Sequence, residues 1–353
     1  MSSLTIDARL WNASGIGVYL QALLPRLVTL LPHMFYILHD TNLSLTKKVF
    51  SNLPNIQFIR CDAAIYSLKE QYTLPRLVPH NSTLWVPHYN IPVLYKGRLI
   101  VTVHDVAHLA LPDVFGMGKR LYARTLLTAI RQKATHIFFV SHFTQDSFTH
   151  IVGKPRGTNS VVYNGVEASW LSAIATPRDK PYFIAVGNVK PHKNLGRLVE
   201  AFLRVSNTIP HTLLLVGKKD GFRTGDNAIL QAVEQHPERI QFTGFVPTPA
   251  LQGLVAGADA LVMPSYYEGF GLPPLEAMAS GTPCLVSDAA SLPEVCEDAA
   301  LYINPFSVED IAEKLLQIAG DEALREKLRT AGLQQAQRFS WDKAAEEMAR
   351  ILS

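Results

Sequence analysis

Short apolar runs punctuate the whole chain, each bounded by Pro, Gly, Asn or charge. Leu4–Ala8 alternates like an opening strand, followed by Phe35–Leu38, Ile56–Ile59, Leu84–Val86 and a longer run from Leu99 that closes on His104 and Asp105. Ile137, Val161, Tyr182, Thr212, Ile240, Ala260 and Ala300 each open a further run. Between them lie stretches of helical period, among them a basic amphipathic helix within 115–133, one from Asn194 to about Val205, and helices over about 308–337. Strands too apolar for a half-solvated sheet, alternating with helices, predict parallel, doubly wound α/β architecture. Ser340 is a candidate N-cap for a last helix.

At 353 residues the chain accommodates two domains of ordinary size. The N-terminus carries no signal-peptide pattern. The longest apolar region, 16–38, is interrupted by Gln21, Pro25, Arg26, Pro32 and His33, so it does not read as a spanning helix. Cys61, Cys284 and Cys296 lack metal-ligand spacing and suit a reducing cytoplasm. Charge is unevenly divided. Residues 1–175 hold 16 Lys+Arg against 8 Asp+Glu, and the rest 17 against 22, so the first half is suited to an anionic partner. No nucleic-acid-binding module is recognisable, which leaves an anionic lipid or a lipid-pyrophosphate acceptor.

One stretch organises the chemistry: Glu268-Gly-Phe-Gly-Leu-Pro-Pro-Leu-Glu276, directly after the Ala260–Met263 run. Gly269 and Gly271 bracket Phe270 in a turn. Pro273 and Pro274 suit the first turn of a helix, where a missing N–H costs nothing. A Gly turn running into a helix start gathers unpaired N–H groups and the positive end of the backbone dipole, which favours a phosphate. Glu268 and Glu276 would be repelled by that phosphate and should face hydroxyls, as on a sugar or a ribose. The pattern suggests a sugar nucleotide.

That nine-residue segment resembles the signature of the retaining glycosyltransferases of family 4, which have the GT-B fold. The likeness continues through Gly281-Thr-Pro-Cys-Leu-Val-Ser287 and Leu292-Pro-Glu-Val295, and more weakly over nearly the whole chain. It implies two Rossmann-like domains facing across a cleft. These are an acceptor-side domain, residues 1–170 with a returning helix at about 340–353, and a nucleotide-sugar domain, residues 171–339. Residues 167–180 read as the linker.

The resemblance also distributes roles. Gly269, Phe270, Gly271 and Leu272 would meet the donor diphosphate through backbone groups, Glu276 the ribose, and Glu268 the transferred sugar or its orientation. Lys193, just before a helix start, matches the family's phosphate-contacting Lys. Many relatives carry Arg where this chain has Asn188, so Lys190 or His192 would have to compensate. The loops around Lys218, Lys219, Asp220 and Val246 would surround the base. Asp7-Ala-Arg9 with Ser14-Gly-Ile-Gly17 resembles the family's first loop, near donor diphosphate and acceptor, which makes Gly15, Gly17 and Arg9 candidates. The same glycines imitate a dinucleotide fingerprint, but position 20 is Leu where a third Gly belongs. His104 resembles the family His beside the donor sugar. Lys119, Arg120 and Arg124, interleaved with apolar residues, suit an acceptor or membrane face.

Together these imply a retaining transferase located in the cytoplasm or peripheral on the inner membrane. Departure of a nucleoside diphosphate would be eased electrostatically, with no cofactor and no metal; no Asp-x-Asp pair is present. Asp7-Ala-Arg9 with Val86-Pro-His-Tyr-Asn-Ile-Pro92 most resembles bacterial mannosyltransferases of surface polysaccharide assembly, implying GDP-mannose and a lipid-linked saccharide acceptor. The rival readings are a sugar-nucleotide epimerase, a nicotinamide enzyme, and a non-catalytic nucleotide-sugar sensor.

Overall fold

The computed structural model describes residues 2–13, 15–40, 49–50, 53–217 and 227–353. They form two compact units, residues 1–165 with 340–353, and residues 166–339.

The first unit is built on a seven-stranded parallel sheet ordered β3-β2-β1-β4-β5-β6-β7. Its strands are β1 (Ser3–Asp7), β2 (Met34–His39), β3 (Ile56–Arg60), β4 (Thr83–Val86), β5 (Leu99–Val103), β6 (His136–Phe139) and β7 (Thr158–Val161). β5 is buried along its whole length, as suits a nearly all-apolar strand between two helical layers; its one polar residue, Thr102, accepts from Trp85 Nε1 at 3.1 Å. The Trp341–Leu352 helix belongs to this unit. Ser340 caps it, accepting from the N–H groups of Asp342 and Lys343. Arg26 of the Ile16–Leu30 helix reaches Asp342 at 2.6 Å, His33 Nε2 donates to the Leu352 carbonyl at 3.2 Å, and Trp341 packs edge-on against Tyr19.

The second unit holds a six-stranded parallel sheet ordered β10-β9-β8-β11-β12-β13. Here β8 is Tyr182–Val186, β9 Thr212–Val216, β10 Ile240–Gly244, β11 Ala260–Met263, β12 Cys284–Ser287 and β13 Ala300–Ile303. On one face lies the Leu195–Val205 helix. Its buried Leu198, Phe202 and Val205 recur at helical spacing and pack with Phe183, Leu213 and Leu215 of the sheet. Each such side chain contributes roughly 1.5–3 kcal/mol by leaving water.

Three features differ from the sequence reading. Residues 167–180 are not a free linker: Trp170 is buried, its carbonyl accepts from Ser280 Oγ at 3.2 Å, and Thr176 N–H donates to Gly253. The second unit therefore begins at Val166, earlier than the expected residue 171. A helix over Leu68–Leu77, containing Pro75, was not anticipated because its sequence is polar overall. Asn194 precedes the Leu195–Val205 helix without capping it. It lies at φ 59°, and its side-chain amide donates to the carbonyls of Pro264 (3.0 Å) and Pro305 (2.6 Å), tying the loop after β8 to the end of β11. Among the described residues no helix is long and apolar enough to cross a membrane.

Candidate functional site

In an open parallel sheet the carboxyl-end loops diverge where the strand order reverses, leaving a crevice. In the second unit the reversal falls between β8 and β11. The loop after β8 carries Asn188 and Lys193; the loop after β11 carries Glu268. Tyr266 N–H donates to the His192 carbonyl at 3.0 Å, stitching the two loops together. Lys193 Nζ lies 2.6 Å from Glu268 Oε1, and both side chains are largely but not fully buried. The sequence reading sends Lys193 to a phosphate and Glu268 to hydroxyls. The structure pairs them with each other, because neighbouring strands deliver both loops to one point.

The turn after Glu268 is held from behind. Ser291 Oγ lies 3.0 Å from the Glu268 carbonyl and 2.9 Å from that of Phe270. Phe270 is buried edge-on against Phe339. Gly271 sits at φ 105°, and a Cβ there would stand 2.7 Å from Leu292 Cδ2, so the position suits only glycine. The Leu272–Ala279 helix follows. Pro273 and Pro274 have no N–H, so they leave no orphan donor in its first turn.

Glu276, one turn into that helix, is half-buried; its carbonyl accepts from Ser280 Oγ at 3.0 Å, while its carboxylate has no hydrogen-bond or ion-pair partner among the described residues. Burial pushes its carboxyl up to about 8. Val246 follows β10, half-exposed. Lys190 is exposed and, with Pro191, Asn194 and Arg197, lines a groove of about 240 Å³ to which Lys193 does not contribute. Lys218, Lys219 and Asp220 lie outside the described residues, as does Ser14.

In the first unit the strand order reverses between β1 and β4. Here the sequence reading needs correction at Arg9. It was expected on an acceptor or membrane face, but is only 5% exposed. Its guanidinium forks onto Asp7 at 2.8 and 2.6 Å, reaches Glu70 Oε1 at 2.8 Å and donates to the Ala63 carbonyl at 3.1 Å. Burial alone would raise the Asp7 carboxyl; the hydrogen bonds and charge of Arg9, with His88 beside it, hold it well below the usual range. Asn90 Nδ2 donates to the same Glu70 oxygen at 2.7 Å, and Tyr122 Oη to Asn90 Oδ1 at 2.6 Å. Glu70 went unnoticed in the sequence. The Ser67-x-x-Glu70 spacing, that of a capping box, was the signal that could have found it: Ser67 Oγ accepts from Glu70 N–H at 3.2 Å.

His104 follows β5 and stands edge-on to Tyr19, ring centroids 4.8 Å apart. Its Nε2 lies 2.9 Å from the Pro87 carbonyl, which only accepts, so Nε2 carries the proton. Burial lowers the ring's pKa to about 4, leaving a neutral imidazole with Nδ1 as acceptor. Gly15 is exposed at φ 72° with open space around it. Gly17 is buried, and a Cβ there would stand 2.6 Å from the Trp11 carbonyl; its smallness serves the chain's own packing. Lys119 and Arg124 are exposed on the Met117–Lys133 helix, beside Met117 (82% exposed) and Leu121 (66%); Arg120 is half-buried.

Residues 168–335 match the family model described as glycosyl transferases group 1. The chain is 30% identical over 279 residues to the O-antigen chain mannosyltransferase B of Escherichia coli, spanning 74% of this chain and 70% of that protein. The chain belongs to the group 1 glycosyltransferases. It is also 33% identical over 218 residues to the O-antigen chain mannosyltransferase RfbU of Salmonella typhimurium, covering 62% of this chain and 59% of that one. Among solved structures, it superposes on sucrose-phosphate synthase of Thermosynechococcus elongatus with a TM-score of 0.80 at 20% identity, over 99% of this chain and 98% of that one. On HepE of Anabaena, solved with UDP-glucose, the TM-score is 0.78 at 16% identity, over 100% and 99%. These likenesses establish the GT-B fold anticipated from the Glu268–Glu276 segment.

Proposed function

We propose that this group 1 glycosyltransferase transfers mannose from GDP-mannose, with retention, to a lipid-linked saccharide in bacterial O-antigen assembly. The observation that carries the reading is the 2.6 Å Lys193–Glu268 pair beside the Gly269–Leu272 turn, at the strand-order reversal of the second sheet. Mannose is favoured because the chain's curated relatives include two named as O-antigen mannosyltransferases.

Breaking the sugar–phosphate bond leaves negative charge on the diphosphate and positive character on the sugar. Lys193 and the backbone N–H groups of Gly269, Phe270, Gly271 and Leu272 stabilise the first. One such preorganised donor typically contributes about 2.7–4 kcal/mol to lowering the barrier. Protein donors of this kind serve without a metal or cofactor. The Glu276 carboxylate, unpartnered among the described residues, accepts hydrogen bonds from the ribose hydroxyls. Glu268, held by Lys193, orients the reacting groups, and same-face attack by the acceptor hydroxyl is assisted by the departing phosphate. In the first unit, neutral His104 offers Nδ1 to a hydroxyl of the donor sugar. Asn188, Val246 and the exposed backbone at Gly15 complete the donor contacts; Arg9 acts as scaffold.

Met117 and Leu121, flanked by Lys119 and Arg124, support peripheral attachment to an anionic inner membrane from the cytoplasmic side. Replacing both apolar residues by Asp should abolish co-sedimentation with phosphatidylglycerol vesicles. The transfer reading is tested with labelled GDP-mannose and extracted lipid-linked acceptor. Labelled lipid product whose new linkage keeps the donor's anomeric configuration supports it. Epimerised sugar nucleotide without acceptor, or the inverted anomer, overturns it.

A further inference from the structure

The buried network of the first unit supports a surface that the reaction chemistry has not used. Above Glu70 and Asn90, the loops after β3, β4 and β5 and the start of the Met117–Lys133 helix bring five aromatic rings together. Tyr66 and Tyr122 stand edge-on at 6.3 Å. Tyr89 Oη lies 3.4 Å from His108 Nδ1. Tyr89 lies 5.6 Å from the His108 ring, which lies 4.2 Å from Phe115. Asp105, close enough to act electrostatically on Tyr66 and Tyr89, is half-exposed beside them, with Oδ1 bonded to the Ala107 N–H at 2.8 Å.

Tyr66 is the telling member. It holds φ 67°, a conformation that costs a β-carbon residue energy and persists only where the surroundings enforce it. The enforcement is visible: its N–H donates to Glu70 Oε2 at 2.8 Å, while Glu70 Oε1 is fixed by Arg9 and Asn90. The same Asn90 orients Tyr122. A buried ionic network thus fixes Tyr66 and Tyr122, yet Tyr66 keeps 54% of its surface exposed. Burial of the ring does not explain the strain. Presentation of the ring does.

We infer that Tyr66, Tyr89 and Tyr122, with His108, Phe115 and Asp105, form a saccharide-binding platform for the sugar residues of the acceptor. A pyranose has an apolar C–H face that packs on an aromatic ring and an equatorial rim of hydroxyls that pair with phenols and a carboxylate. Half-exposed rings carrying polar tips, next to a carboxylate, match both. Their place at the carboxyl edge of a parallel sheet, beside its strand-order reversal, is where such folds bind ligands. The inference rests on the transferase reading for the word acceptor; saccharide binding itself does not.

The test uses the full chain on an array of immobilised oligosaccharides ending in mannose, glucose, galactose or N-acetylglucosamine, with GDP thermal shifts in parallel. Tyr66→Gly removes the ring while suiting the backbone, so it should melt no lower than the parent chain and lose at least about tenfold in array binding. Tyr66→Phe keeps the ring and should bind within about threefold of the parent. No bound oligosaccharide with the parent chain, or equal binding by Tyr66→Gly, overturns the platform. Both variants should keep the GDP shift. A parent chain that holds oligosaccharide but shows no GDP shift would sink the donor reading and leave the platform standing.

Discussion

The two strand-order reversals, β1/β4 in the first sheet and β8/β11 in the second, occupy equivalent places in similar folds and are furnished in opposite ways. At the first, Asp7, Arg9, Glu70 and Asn90 are buried and almost every polar atom is spent on another. At the second, the Lys193–Glu268 pair remains partly open, and the Glu276 carboxylate has no partner among the described residues. Buried charge that is fully paired is rigid and costly to disturb; partly open charge is available to a ligand. The first reversal holds a loop in place; the second is where the proposed reading puts the chemistry. Mutation should therefore separate stability from activity.

The largest expected effect is on catalysis. Lys193→Ala should lower kcat/KM about a hundred- to a thousandfold, the usual consequence of losing one preorganised donor, with little change in melting temperature. Next comes stability. Arg9→Ala leaves Asp7 and Glu70 buried without their cation and should cost about 3–5 kcal/mol in urea unfolding. If Arg9→Ala were as stable as the parent, or Lys193→Ala unfolded, the contrast between the reversals would fail.

Glu276 gives an effect of intermediate size and definite sign. Its folded pKa, about 8, lies above the ordinary carboxyl value of 4.5, so the folded chain binds the extra proton between those values. Stability from this group is complete below pH 4.5 and declines as pH rises toward 8. Glu276→Gln should flatten that decline in melting temperature. If the carboxylate accepts ribose hydroxyls, GDP affinity should rise between about pH 7 and 9 in the parent chain and stay level in Glu276→Gln. The smallest effect is expected of Ser291→Ala. It loosens the turn carrying Glu268 and should lower kcat about fivefold, the equivalent of one hydrogen bond near 1 kcal/mol.

Much of this was readable in the chain. β11 and β13 run as the apolar pattern drew them: β11 is buried throughout and β13 at both ends, and buried parallel strands advertise themselves locally. Glu268, the two glycines and Glu276 are legible because turn and helix start are consecutive in sequence. What was hidden are partnerships fixed by strand order. Lys193 and Glu268 are 75 residues apart, and Arg9 and Glu70 are 61 apart. No local pattern announces that such loops converge. Arg9 was assigned to the ligand side from its place in the Asp7-Ala-Arg9 loop, and its partner Glu70, 61 residues on, is invisible to such a local reading. Gly17 taught the converse, a glycine for which the Trp11 carbonyl is itself a sufficient reason.

The central claim is that the second reversal binds a nucleoside diphosphate through Lys193. Calorimetric titration of GDP into the parent chain and into Lys193→Ala tests it most directly. The account predicts saturable binding by the parent, weakened at least about tenfold in the variant. No binding by the parent, or equal affinity in both, would contradict it.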